Sequence, residues 1–239
     1  MTPLDMHQLF DYRYYTSPPQ QIQAGRTFVR MRFINGRRIL RVPIRMNGKL
    51  AYLIGVIIGD GYLSKAMRRK SHGRGFHWKM VITGPHDYIV CLRNIFHDLF
   101  SIRGGIIQDS RKRDSWQLRF SCLILHRFFA RVIGIPQGRK TTHGGWTRLE
   151  LVREFPLHFL KGLIDSDGHI GKRYIGIIQK RLRFLIRIKN FAHETLGLDF
   201  HGPFVNSRKN GLIASWIISI SNERARTWLL DRLGRIRIM

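Results

Sequence analysis

Two aspartates hold the same place in two copies of one nine-residue phrase. Residues 53–61 read LIGVIIGDG and residues 160–168 read LKGLIDSDG, so that Asp60-Gly61 and Asp167-Gly168 close equivalent apolar runs 107 residues apart. A carboxylate at the C-terminal end of a helix is electrostatically misplaced, because that end of the helix dipole is already negative. Two such carboxylates ~6 Å apart would also repel by ~3 kcal/mol at an effective dielectric of ~20. Divalent cations at that point reverse both penalties, and carboxylates with backbone carbonyls and water form the oxygen shell that magnesium takes. Paired acids of this kind beneath a basic surface suit metal-assisted phosphodiester hydrolysis. Asp-Gly after a single helix is an ordinary turn. The same pair twice in one frame needs a further reason.

The acids must be brought together by the elements that end in them. Ala51, Gly55 and Gly59 recur every fourth residue, and Gly162 and Ser166 do the same in the second copy. Each stripe lies on one helix face and lets another backbone approach closely. Glycine inside a helix costs about 1 kcal/mol relative to alanine, so the two helices are predicted to pack on each other along these stripes.

From residue 50 the pattern reads helix, strand, strand, helix, strand, strand, helix, and then repeats. The first copy has a helix at 50–59, strands at 62–65 and 76–83 joined by a basic loop at 68–70, and a helix at 85–100 with Pro85 in its first turn. Strands at 105–109 and 115–121 and a helix at 123–133 follow. The second copy has a helix at 157–166, strands at 169–170 and 174–179, a helix at 181–196 stopped by Gly197, strands at 203–208 and 212–221 turning at Asn210-Gly211, and a helix at 223–233. A period near 107 residues implies two similar halves in a pseudo-twofold relation. Residues 1–25 read as an extended arm in which Pro18-Pro19 block regular structure. Residues 26–45 alternate as a β-hairpin about Asn35-Gly36, with Val29, Met31 and Phe33 on one face and Arg30 and Arg32 on the other, then Leu40, Val42 and Ile44 against Arg41. The expected divisions are 1–47 (arm and hairpin), 48–136 (first half), 137–155 (linker) and 156–239 (second half). Gly138-Arg139-Lys140-Thr141 in the linker lacks the glycine spacing of a phosphate loop.

The 239 residues carry 42 Lys and Arg against 15 acids, a net charge of +27, with 44% hydrophobic residues. The chain is therefore a folded polyanion binder rather than a disordered tail. Arg makes up 31 of the 42, and its planar fork matches phosphates and guanine edges, which favours nucleic acid over lipid. No run approaches the ~20 apolar residues of a membrane span. The N-terminus has no signal-peptide core, so an intracellular protein is expected. Cys91 and Cys122 lack metal-ligand spacing and are expected to be free thiols.

The two phrases resemble the LAGLIDADG motif of homing endonucleases in the single-chain, two-motif form. AYLIGVIIGDGYLSK and MVITGPHDYI look most like the intron-encoded archaeal type, and GIPQGRKT resembles its linker. The resemblance spans roughly residues 48 to 235. It implies an α+β fold of pseudo-twofold duplicated αββαββα units forming two antiparallel β-sheet saddles over DNA, here with the N-terminal hairpin as an extension. It implies a monomer that hydrolyses both strands of a double-stranded DNA target, leaving 3′-hydroxyls and short 3′ overhangs. By resemblance, Asp60 and Asp167, helped by the carbonyls of Gly59 and Ser166, hold two or three Mg2+ ions, for which Ca2+ or Mn2+ could substitute. Gln179 falls where a polar residue organises the attacking water, whereas Gly84 occupies the corresponding place in the first half. Lys65 and Lys172 are the candidates for a basic residue near the ions. Position six of the motif is Ile58 in one copy and Asp165 in the other, and is not the usual metal ligand.

Strand alternation places Phe76, Trp78, Met80 and Ile82 in the core and His77, Lys79 and Thr83 towards DNA. It places Trp116, Leu118 and Phe120 inside, and Gln117, Arg119 and Ser121 outside. In the second half Ser215, Ser219 and Ser221 oppose Trp216, Ile218 and Ile220. Arg30, Arg32, Arg41, Arg68, Arg69, Arg111, Lys112, Arg113, Arg173, Arg208 and Lys209 complete the candidate DNA contacts. Two sheets of ~9-residue strands cover ~60 Å, or ~18 base pairs, roughly two turns of duplex. The same fold and charge would serve a maturase binding intron RNA, or a DNA-binding regulator that does not cut. Two clustered acids give neither of these an advantage.

Overall fold

The computed structural model describes residues 3–9, 19–33, 39–70, 73–110, 112–138, 146 and 148–235. Helix α1 (Gly48–Gly59) is followed by strands β4 (Gly61–Lys70) and β5 (Gly73–Gly84), helix α2 (His86–Phe100), strands β6 (Gly105–Gln108) and β7 (Trp116–Phe120), and helix α3 (Leu123–Arg127), which runs on as a π-helical turn, Phe128–Val132. The second copy repeats this order: α4 (Pro156–Asp167), β8 (Gly168–Ile170), β9 (Ile175–Gln179), α5 (Leu182–Leu196), β10 (His201–Lys209), β11 (Leu212–Ile220) and α6 (Glu223–Arg235). Each half thus reads αββαββα and builds one four-stranded antiparallel sheet, in the orders β4-β5-β7-β6 and β10-β11-β9-β8.

The chain divides into two compact units, and the division does not follow the repeat. Ala51–Asp60 groups with the unit that contains the second half, while Gly61–Gly138 and the N-terminal region make up the other. The reason lies in α1: residues 51–59 are all buried, and its glycine faces the backbone of α4.

In the first sheet Leu63, Met80, Ile82, Leu118 and Phe120 are buried beneath α2 and α3, where Phe96 meets Phe120, Phe100 and Phe129. In the second, Ile175, Ile177, Ile218 and Ile220 are fully buried against α5. The turn between β10 and β11 is the Asn210-Gly211 pair, both in left-handed conformation (φ 51° and 76°), as a two-residue hairpin requires.

Three local expectations are corrected. Pro19 does not block regular structure: it begins β1 (Pro19–Ala24), which pairs with β2 (Phe28–Phe33), itself paired with β3 (Ile39–Pro43), so the expected hairpin is a three-stranded sheet. Proline is tolerated there because it is the first residue of an edge strand. Arg68-Arg69-Lys70 is not a loop. Strand β4 pairs with β5 as far as Lys70 opposite Gly73, and an edge strand accepts charge readily. Pro85 is the N-cap of α2 and not a residue of its first turn. The turn at Asn35-Gly36 lies outside the described residues.

Candidate functional site

Helices α1 and α4 approach through their small residues. A methyl group on Gly55 would overlap the carbonyl oxygen of Phe159 and stand 2.8 Å from Leu163 N; one on Gly162 would overlap the carbonyl oxygen of Tyr52 and stand 3.0 Å from Val56 N. The obstacles are main-chain atoms, so each glycine is required by the partner's backbone. Away from the stripe, Tyr52 donates its hydroxyl to Asp165 Oδ2 at 2.9 Å, and Lys161 pairs with the same carboxylate at 3.2 Å. Sequence reasoning set Asp165 aside as a non-ligand and missed this lock between the two helices. An acid four residues after Lys161 was the available signal.

The same packing brings the motif ends together. A Cβ on Gly59 would overlap Ser166 Oγ and lie 3.2 Å from Asp167 Oδ2. The residue immediately before Asp60 therefore rests against the Asp167 carboxylate. Asp60 N still donates to Val56 O at 2.9 Å, so Asp60 ends the last hydrogen-bonded turn of α1. Asp167 is the last residue of α4. The glycine after it is also explained: a Cβ on Gly168 would come within 2.5 Å of Ile164 Cα. Ser166 Oγ donates back to Gly162 O at 2.8 Å. Gln179, at the end of β9, donates its side-chain amide to Asp167 Oδ2.

The ligands these motif ends can offer are oxygens: the carboxylates of Asp60 and Asp167 and main-chain carbonyls. That chemistry fits a hard divalent ion such as Mg2+, Mn2+ or Ca2+ and excludes a thiolate or imidazole site. Among the described residues no cluster of three or more His, Cys, Asp and Glu side chains could hold a metal. Two carboxylates suffice for magnesium, which keeps several waters and takes substrate phosphates as further ligands.

The two candidate lysines are placed differently. Lys172 is exposed beyond β8, and its main-chain carbonyl accepts from the Arg226 guanidinium of α6. Lys65 lies on the helix-covered face of the first sheet, with Nζ 5.0 Å from the Trp78 ring centroid. Beside it is a buried polar cluster that sequence reasoning also missed. His126 packs edge-on to Trp78 at 4.9 Å with neither ring nitrogen hydrogen-bonded, and Arg127 lies over the same indole. Burial first, then the positive charges of Arg127 and Lys65, push the His126 pKa down to about 4.

On the sheet faces away from the helices, Lys79 and Arg119 are exposed and Thr83 is half-buried. Gln117 departs from expectation. It is 7% exposed, its amide donates to Asp109 Oδ2 at 2.9 Å, and its carbonyl takes two hydrogen bonds from Arg119, at 2.8 and 2.6 Å. Alternation chose the correct face, but neighbouring polar groups satisfy one another there. Arg30, Arg32, Lys112, Arg113, Arg173, Arg208 and Lys209 are exposed, while Arg41 is half-buried with its guanidinium 4.2 Å from the Phe28 ring. Ser215 and Ser219 are half-buried; Ser215 shares hydrogen bonds with Ser207 and Asn206. The side chains of Arg68, Arg69 and His77, and the whole of Arg111, lie outside the described residues. Cys91 and Cys122 are half-buried and form no disulfide among the described residues, and no described helix is long and apolar enough to cross a membrane.

No protein-family model matches the chain, and no curated protein matches it in sequence. Solved structures do match. Mesophilic variants of the homing endonuclease I-DmoI align over 80% of this chain and 98% of theirs, at 20% identity and a TM-score of 0.58. I-DmoI in complex with DNA and Mn aligns over the same shares at 22% identity and 0.57. I-SmaMI, bound to uncleaved DNA target in the presence of calcium ions, aligns over 80% of this chain and 86% of its own at 13% identity and 0.50.

Proposed function

We propose that this chain, which has the two-motif LAGLIDADG homing-endonuclease fold, is a site-specific double-strand DNA endonuclease that works with divalent metal ions. The observation that supports the reading is the close approach of Gly59, the residue before Asp60, to Ser166 and Asp167 at the end of the second motif helix. A net charge of +27 supplies the attraction for a duplex. Likeness in fold to proteins solved with DNA and with Mn or Ca is consistent with it.

In this reading Asp60 and Asp167 hold the ions, with the carbonyls of Gly59 and Ser166 facing the same point. The bound ions would supply charge neutralisation at the scissile phosphate and a water of lowered pKa. Gln179 orients the Asp167 carboxylate and keeps its other lone pairs available. The exposed faces of the two sheets carry the DNA, with Lys79 and Arg119 presenting donors suited to guanine edges and Lys112, Arg113, Arg208 and Lys209 contacting phosphates. The two sites are unequal, because Gly84 has no side chain to match Gln179.

The test begins by selecting bound sequences from random duplex DNA in Ca2+. The selected site is then placed in a plasmid and incubated with Mg2+ or with chelator. Linearisation in Mg2+ alone is expected, and Asp60→Asn/Asp167→Asn should bind the site without linearising it. Full cleavage by that double variant would overturn the assignment.

A further inference from the structure

The exposed faces of the two sheets differ in chemistry. On the first, cross-strand pairing aligns Ser64 with Lys79, and Tyr62 with Val81 and Arg119, so charged donors run across it. On the second, the corresponding face is apolar. Pairing aligns Phe204 of β10 with Ile217 of β11 and Ile178 of β9, a row across three adjacent strands on the side opposite the buried Ile177 and Ile218. Phe204 is 55% exposed, and Ile217 and Ile178 beside it are half-buried. The row has a built floor: a Cβ on Gly176 would stand 2.8 Å from Ile217 Cδ1, so Ile217 lies down over a strand that leaves room for it. Hydroxyls flank the row, Ser219 on one side and the hydrogen-bonded Ser207–Ser215 pair on the other. Beyond them stand Arg208 and Lys209.

Burying an apolar row needs an apolar partner, while the basic rim selects a polyanion. Duplex DNA offers both, because the thymine C5 methyl is the one apolar group that base edges show in the major groove. Strands ~4.8 Å apart put the three side chains over about 10 Å, within the ~12 Å width of the major groove. We propose that the Phe204–Ile217–Ile178 row reads thymine methyls, making the half-site under the second sheet thymine-specific while the first sheet reads guanine through Lys79 and Arg119. The inference rests on the endonuclease reading and adds a base preference to it.

The experiment uses the full chain and the selected DNA site in Ca2+, where binding is read without cutting. Each thymine is replaced in turn by deoxyuridine, which removes only the methyl. Two or three thymines in one half-site should each cost about fourfold in affinity on loss of the methyl, and thymines in the other half-site should cost nothing. In Phe204→Ala and Ile217→Ser, checked for folding by circular dichroism, the deoxyuridine effect should vanish. Uniform indifference to deoxyuridine, or an effect that survives in both variants, would overturn the thymine reading and leave the nuclease assignment intact. Concentration-dependent dimerisation abolished by Ile217→Ser would overturn it too, by assigning the row to a second copy of the chain. Failure to select any DNA would instead remove the endonuclease reading and this inference with it.

Discussion

Replacing Gly162 by alanine tests the helix contact on which the metal site depends. In an isolated helix the change would stabilise by about 1 kcal/mol. Here the new methyl overlaps the Tyr52 carbonyl and stands 3.0 Å from Val56 N, where 3.4 Å is ordinary contact. Neither obstacle is a side chain that can rotate away, so α1 and α4 must separate by about an ångström. A gap of that size forfeits a quarter to a half of the dispersion energy along the seam, and overpacking of this kind costs about 3 kcal/mol at the upper end of its usual range. Net destabilisation should be about 2 kcal/mol, a fall in melting temperature of about 4–8 °C for a chain of this size. The same shift displaces Asp60 relative to Asp167, and an ångström of misplacement costs about 100-fold in rate. Urea unfolding and cleavage at a temperature where the variant is folded read the two effects separately. Gly234→Ala, in α6 with nothing within 4 Å of the added methyl, is the control and should be neutral or stabilising. A Gly162→Ala protein as stable and as active as the parent would refute close backbone packing as the device that assembles the site.

Three further outcomes follow from the same geometry. Gln179→Ala should slow Mg2+-dependent cleavage by about 10- to 100-fold, the usual cost of losing a group that orients a metal ligand, with DNA affinity in Ca2+ unchanged; a parallel loss of affinity would contradict the positioning role. His126 has a folded pKa of about 4 against an ordinary 6.5, so the unfolded chain takes up its proton first. Stability should be intact above pH 6.5 and fall by about 2 kcal/mol between pH 6.5 and 4, allowing for solvent screening, and urea midpoints of His126→Phe should be flatter across that window. Lys112→Gln/Arg113→Gln should lower DNA affinity about equally for all sequences and reduce the salt-dependence slope by about 2, an effect readable by titration at several salt concentrations.

Much of the chain was legible in one dimension because its signals are local. Gly197 ends α5 with φ 64°, Asn210-Gly211 turns β10 into β11, and alternation along β5 and β7 separates Met80, Ile82, Leu118 and Phe120 from Lys79 and Arg119. Pro19 and the basic run at 68–70 misled for the opposite reason: whether a proline starts an edge strand or a charged run continues one depends on which strand lies alongside. The Asp109–Gln117–Arg119 network was out of reach on the same grounds, since pattern assigns a face and not the bond a side chain makes there.

What the order of amino acids determined by itself was the duplicated αββαββα unit, its aspartates and the glycine stripes beside them, because periodicity and repetition are properties of the chain alone. Tertiary structure decided where those stripes go. It set α1 with the second half, laid Gly59 against Asp167, tied Tyr52 to Asp165, and turned an apolar row outward on β9, β10 and β11. Each of these depends on two segments distant in sequence meeting at van der Waals contact, a condition that no local pattern encodes.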